Sequence, residues 1–155
     1  MKTIVEIENQ FSKEITKKLN VLLSNFQIHY QNLRGLHWNI KGKNFFELHT
    51  KFEEYYNDSQ EKIDAIAERI LTLEGTPLHT FSDYLENSNI KVGKNITQDV
   101  AAVQLVITGY KTLLEIEREL LTLTDKADDE GTNALISEFI SEQEKTLWML
   151  KSWLA

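Results

Sequence analysis

From Asn44 to Glu74 the chain contains neither glycine nor proline, and Gly75 and Pro77 follow directly. Such a run folds as one long helix, because nothing in it interrupts the backbone hydrogen-bond ladder. Glycine and then proline are stop signals at its C-terminal end. The same run carries His49, Glu53, Asp64 and Glu68 among Phe52, Tyr56, Ile63 and Ile70. At about 100° per residue the four polar side chains project at roughly 0°, 40°, 60° and 100°, so they share one face. Imidazole and carboxylate are ligands for a divalent transition metal. His49 and Asp64 are nevertheless about 22 Å apart along such a helix, while a metal–ligand bond is only about 2 Å long. One helix cannot close both ends on one ion. A second copy, running antiparallel, can bring the histidine end of one chain against the acidic end of the other.

Three further long helices are expected. The first covers about residues 7–39, with Leu19, Leu22, Leu23, Phe26, Tyr30, Leu33 and Leu36 at spacings of three and four, and Gly42 as its stop. The third starts near Asn95 or Thr97, both plausible N-caps. The fourth starts within Asp125–Thr132. The first two helices are separated by about five residues, as are the last two, and short links make antiparallel neighbours. About twenty residues separate Gly75 from Asn95. At about 3.3 Å per residue they can traverse a whole 30-residue helix. Residues 81–86 are expected to form a short helix within them. The expectation is one all-α domain over residues 1–155, a four-helix bundle with a long crossover.

The 155-residue chain has 41% hydrophobic residues, enough for one core. It has no cysteine, which excludes disulfides and thiolate metal sites and fits a reducing compartment. No apolar signal core or membrane-spanning stretch is evident, so a cytoplasmic protein is expected. The net charge of −7 disfavours non-specific nucleic-acid binding.

His37, late in the first helix, and His49, early in the second, meet in a tight hairpin. With Glu53 they make one half-site, and Asp64 with Glu68 makes the other. The alternatives are a capping or surface role for each histidine, and pairing of Glu68 with Arg69 or Lys62. No Glu-x-x-His occurs anywhere, which argues against a di-iron centre inside a single bundle. His29 and His79 have no ligand-spaced partners and are read as core or loop residues. Trp38, beside His37, either passes an electron or packs at the end of the hairpin.

The series His37-Trp38-x-x-x-Gly42-x-x-Phe45-x-x-Leu48-His49-x-x-Phe52, then Asp64-x-x-Ala67-Glu68-Arg69-Ile70 and Gly75-Thr76-Pro77, resembles the Dps family of ferritin-like mini-ferritins over essentially the whole chain. The resemblance implies a homo-oligomeric shell of twelve subunits that oxidises Fe(II), with hydrogen peroxide preferred or dioxygen used, and stores Fe(III) mineral. It implies ferroxidase sites shared across a two-fold axis. His37 and His49 match the histidine ligands from one chain, Asp64 and Glu68 the carboxylates of the other, and Glu53 a commonly acidic position. The acidic run Asp125, Asp128, Asp129 and Glu130 is similar to the lining of the family's iron-conducting pores, or else caps the fourth helix. Direct DNA binding is not expected: Lys2, Lys13, Lys17 and Lys18 are offset by Glu6, Glu8 and Glu14, and a shell of such chains repels phosphate. The competing readings are a non-catalytic shell or DNA-compacting scaffold of the same fold, and a helical dimer whose polar stripe is a hydrated interface.

Overall fold

The computed structural model describes the backbone of residues 4–155 and the side chains of residues 10–155; the charges of Lys2, Glu6 and Glu8 lie outside the described residues. Every regular element described is helical: α1 Ile4–Asn39, α2 Phe45–Thr72, α3 Phe81–Asn87, α4 Asp99–Lys126 and α5 Glu130–Leu154. α1 packs on α2, α4 packs on α5, and α1 and α4 join the two hairpins. The core is built from the apolar positions of the sequence pattern. Leu19, Leu22, Phe26 and Leu33 of α1, Phe52 and Ile66 of α2, Leu113 of α4 and Ile136 of α5 are all buried. Each contributes about 1.5–3 kcal/mol by leaving water. None of the described helices is long and apolar enough to cross a membrane.

The crossover is held against α1 by three asparagines. Asn20 donates to the Thr76 carbonyl and accepts from the Leu78 amide. Asn25 accepts from the amides of Asn89 and Ile90 and from the Ser88 hydroxyl. Asn32 donates to the Lys91 carbonyl and accepts from the Gly93 amide. These side chains satisfy loop backbone that α3 and its flanks would otherwise bury unpaired.

Two helix ends and one link differ from the sequence expectation. The left-handed residue after α2 is Glu74 (φ 65°), and the Gly75 amide closes the turn on the Ile70 carbonyl at 2.9 Å. Gly75 is needed for another reason: a Cβ there would lie 2.9 Å from Thr16 of α1. α4 begins after Gln98 rather than at Asn95 or Thr97. Asn95 is a left-handed turn residue (φ 58°), and the Thr97 carbonyl accepts the Lys41 amide, tying the crossover to the α1–α2 turn. The α4–α5 link is only residues 127–129, because Asp128 (φ 53°) reverses the chain and Asp129 caps α5 at once.

Candidate metal centre

The turn between α1 and α2, with Gly42 at φ 111°, folds the last turn of one helix onto the first turn of the next. It stacks His37 on His49, with ring centroids 3.8 Å apart and planes 11° apart. His37 Nδ1 lies 2.6 Å from the His49 carbonyl oxygen, and His49 Nδ1 lies 2.7 Å from that of His37. A carbonyl oxygen only accepts, so both Nδ1 atoms must carry the proton. In the neutral rings both Nε2 atoms then keep bare lone pairs, the tautomer that a metal ligand needs. Phe45 stacks on His49 at 4.8 Å, and Tyr56 meets His37 edge-on at 5.4 Å. His37 is buried and His49 half-buried, so the pair is fixed before any ion arrives.

Asp64 and Glu68 stand side by side on the exposed face of α2. The Glu68 carboxyl is held above its ordinary range by the hydrogen bond to Asp64 and by the charge of Asp64. Two carboxylates this close resist ionising together unless a cation lies between them. The neighbouring cations are engaged elsewhere: Lys62 pairs with Asp58 and Glu142, and Arg69 pairs with Asp129. Among the described residues the acidic pair therefore gains no ion pair from Lys62 or Arg69.

The fold thus brings His37 to His49 and Asp64 to Glu68, and keeps the two pairs at opposite ends of α2. Among the described residues no group of three or more histidine, aspartate or glutamate side chains in one chain could hold an ion. Glu53 is exposed, with its Oε1 3.5 Å from the Tyr56 hydroxyl. Trp38 is 57% exposed and lies under the Arg34 guanidinium at 4.9 Å, so it is not packed inside the hairpin. Asp129 is occupied as a cap, accepting from the Thr132 amide and pairing with Arg69, whereas Asp125, Asp128 and Glu130 are exposed. His79 is exposed in the crossover.

Sequence reasoning missed Tyr56 as a neighbour of the histidines, and it missed the shifted protonation of two polar residues inside the bundle. His29 is buried with its ring 4.6 Å from Tyr110, and burial pushes its pKa down to about 3. Glu117 is fully buried and pushed up to about 8, chiefly by burial, against the opposing influence of the Gln143 hydrogen bond and the Lys62 and Arg118 charges. The signal was available: Glu117 occupies a core-facing position in the apolar period of its helix.

Residues 16–155 match the ferritin-like domain family. The chain is 38% identical over 156 residues to the DNA protection during starvation protein of Porphyromonas gingivalis, covering 99% of this chain and 98% of that protein. It superimposes with a TM-score of 0.94 on the crystal structure of a Dps protein from Vibrio cholerae, described as a member of a broad superfamily of ferritin-like diiron-carboxylate proteins. That match has 48% sequence identity and covers 95% of this chain and 92% of the other. Dps from Bacillus brevis superimposes with a TM-score of 0.91 at 32% identity, over the full length of both chains.

Proposed function

The chain belongs to the Dps family of ferritin-like proteins, and from that premise we propose that it is a ferroxidase that stores iron in a shell of twelve copies. Fe(II) is its substrate and hydrogen peroxide or dioxygen its oxidant. His37 and His49 of one subunit and Asp64 and Glu68 of a second, antiparallel subunit hold the iron across a two-fold axis. Glu53, one turn beyond His49, extends the carboxylate set. The whole chain works as one domain, in the cytoplasm, without direct contact to DNA.

The observation that carries this reading is the separation of two complementary halves along the α1–α2 hairpin. At one end two Nε2 lone pairs are presented by rings whose Nδ1 protons are tied down. At the other end two carboxyls crowd each other, with Lys62 and Arg69 both paired elsewhere. Each half supplies what the other lacks, and only a second chain can join them. Imidazoles suit iron, and hard carboxylate oxygens stabilise Fe(III) over Fe(II), which favours oxidation. So few protein ligands leave open positions for the oxidant. Two Fe(II) supply the two electrons that, with two protons, convert one hydrogen peroxide to two waters, so no hydroxyl radical need be released.

The test is optical. Anaerobic Fe(II) is added to the purified shell, then peroxide, and the rise of Fe(III) absorbance is followed. The double variant His37→Ala, Asp64→Ala should oxidise much more slowly while sizing chromatography still shows the assembled shell. An unchanged initial rate would remove the site. Elution as a dimer would remove the shell.

A further inference from the structure

We propose that Glu117 and Gln143 form an acid–amide catch, closed by a single carboxyl proton, that joins α4 to α5 and loosens when the proton is lost. Both side chains are buried, Glu117 on α4 and Gln143 on α5. Gln143 Nε2 donates to Glu117 Oε1. The other oxygen of each, Glu117 Oε2 and Gln143 Oε1, is buried and finds no donor among the described residues. An ionised carboxylate only accepts, and so does an amide carbonyl. As a carboxylate, Glu117 would leave two acceptors of one pair unsatisfied, and buried polar atoms are rarely left so. One proton on Glu117 Oε2 answers both. The new O–H donates to Gln143 Oε1 while Gln143 Nε2 keeps donating to Glu117 Oε1, and the two bonds close a ring.

The cations facing Glu117 are committed elsewhere. From α2, Lys62 acts on Glu117, but its ammonium is bonded to Asp58 and to Glu142 of α5. On α4 itself Arg118 pairs at the surface with Glu144 of α5. Tyr110, about two turns earlier on α4, is a phenol that burial keeps neutral. α1 brings Lys18, paired with Glu119, and His29, whose ring meets Tyr110 and is kept neutral by burial. Burial is also the chief influence on Glu117. It pushes the carboxyl up to about 8, against the weaker pull of Gln143, Lys62 and Arg118. At neutral pH the proton therefore stays.

The Asn133–Thr124 bond, nearer the α4–α5 turn, has no proton that titrates. Losing one from the Glu117–Gln143 pair sets two buried acceptors against each other. Opening the pair exposes the carboxyl to water, where it ionises in its ordinary range. Each unit rise in pH then favours the open form by up to about tenfold, until the closed pair itself ionises.

Glu117→Gln replaces the acid by an amide that can make the same two bonds without titrating. Infrared difference spectra of the purified wild-type protein against this variant should show a protonated-carboxyl band at neutral pH, which disappears as pH rises through about 8. Gln143→Leu should keep that band and shift it to the higher frequency of an acid without an acceptor. Hydrogen exchange of the α4 and α5 amides, read by mass spectrometry, should be faster in wild type than in Glu117→Gln. That ratio should climb by up to about tenfold per pH unit towards pH 8 and level off above it. Taking the ratio at each pH cancels the base-catalysed intrinsic rate and the titration of His29. Absence of the band from wild type at neutral pH overturns the proposal, and that result needs no variant. A band unmoved by Gln143→Leu overturns the pairing. An exchange ratio that does not change with pH overturns the catch.

Discussion

His37 and His49 each donate the Nδ1 proton to the other's main-chain carbonyl, at 2.6 and 2.7 Å, across a ring stack of 3.8 Å. The pair locks the helix hairpin and sets both tautomers with the same two bonds. It also divides the proposed site, with both imidazoles at one end of α2 and Asp64 and Glu68 towards the other. Complementation follows from that division. Shells of His49→Ala alone, or of Asp64→Ala alone, should oxidise Fe(II) slowly. When the two variants are co-expressed, half the dyads are mixed, and each mixed dyad holds one intact site of two. About a quarter of the sites should then recover, as a two-fold shared interface requires. Failure to recover any rate in the mixed shells would overturn the shared site.

Stability should peak in mildly acidic solution, because two buried groups titrate in opposite senses. Glu117 is pushed from 4.5 up to about 8, so its folded-state stability is full below pH 4.5 and is lost as pH rises towards 8. His29 is pushed from 6.5 down to about 3, so its contribution is present above pH 6.5 and is lost as pH falls towards 3. Each slope is about 1.4 kcal/mol per pH unit. Between about pH 4.5 and 6.5 these two slopes oppose each other. Calorimetry should find Glu117→Gln flattening the decline above pH 6.5 and raising Tm most at pH 8. A wild-type Tm that rises between pH 6.5 and 8 would contradict the assignment.

Gly109 faces the His29 ring so closely that a Cβ there would lie 2.4 Å from Nδ1. Gly109→Ala gains about 1 kcal/mol of helix propensity. The overlap with a buried ring costs about 1–3 kcal/mol. The variant should therefore be less stable in urea denaturation, by up to about 2 kcal/mol. The double variant Gly109→Ala, His29→Ala should lose less than the sum of the singles, since the second change removes the overlap. Additive losses would mean that the ring and the glycine do not compete for space.

The acidic turn before α5 divides into a structural and an electrostatic part. Asp129→Ala removes the α5 cap and the Arg69 partner, and should cost about 1–2 kcal/mol. Asp125→Asn with Asp128→Asn should leave stability nearly unchanged, because both side chains are exposed and Asn tolerates the left-handed backbone at 128. If these exposed carboxylates draw Fe(II) in, the double variant should take up iron more slowly at low salt and match wild type at high salt. A rate difference independent of salt would rule out steering.

The helices were legible because their signals are local. Apolar spacing, the run free of glycine and proline, and the unequal links gave two hairpins and a crossover. Ends proved harder. Gly75 marks the stop in the sequence, yet Glu74 takes the left-handed conformation and Gly75 yields space to Thr16, a neighbour more than fifty positions away. In the sequence Lys62 is a candidate partner for Glu68, but it reaches Glu142 on α5 instead. Such pairings depend on which helix lies alongside, and periodicity carries no record of that.

The order of side chains along α2 settles by itself that His49 and Asp64 stand too far apart to share an ion, because helix rise per residue is fixed. Tertiary structure alone decided the rest. Closure of the α1–α2 turn set the histidine tautomers, three asparagines of α1 chose the path of the crossover, and burial moved Glu117 and His29 away from their ordinary protonation ranges. Hydrogen bonds across elements and desolvation arise only when distant segments meet, so no local pattern in the chain could encode them visibly.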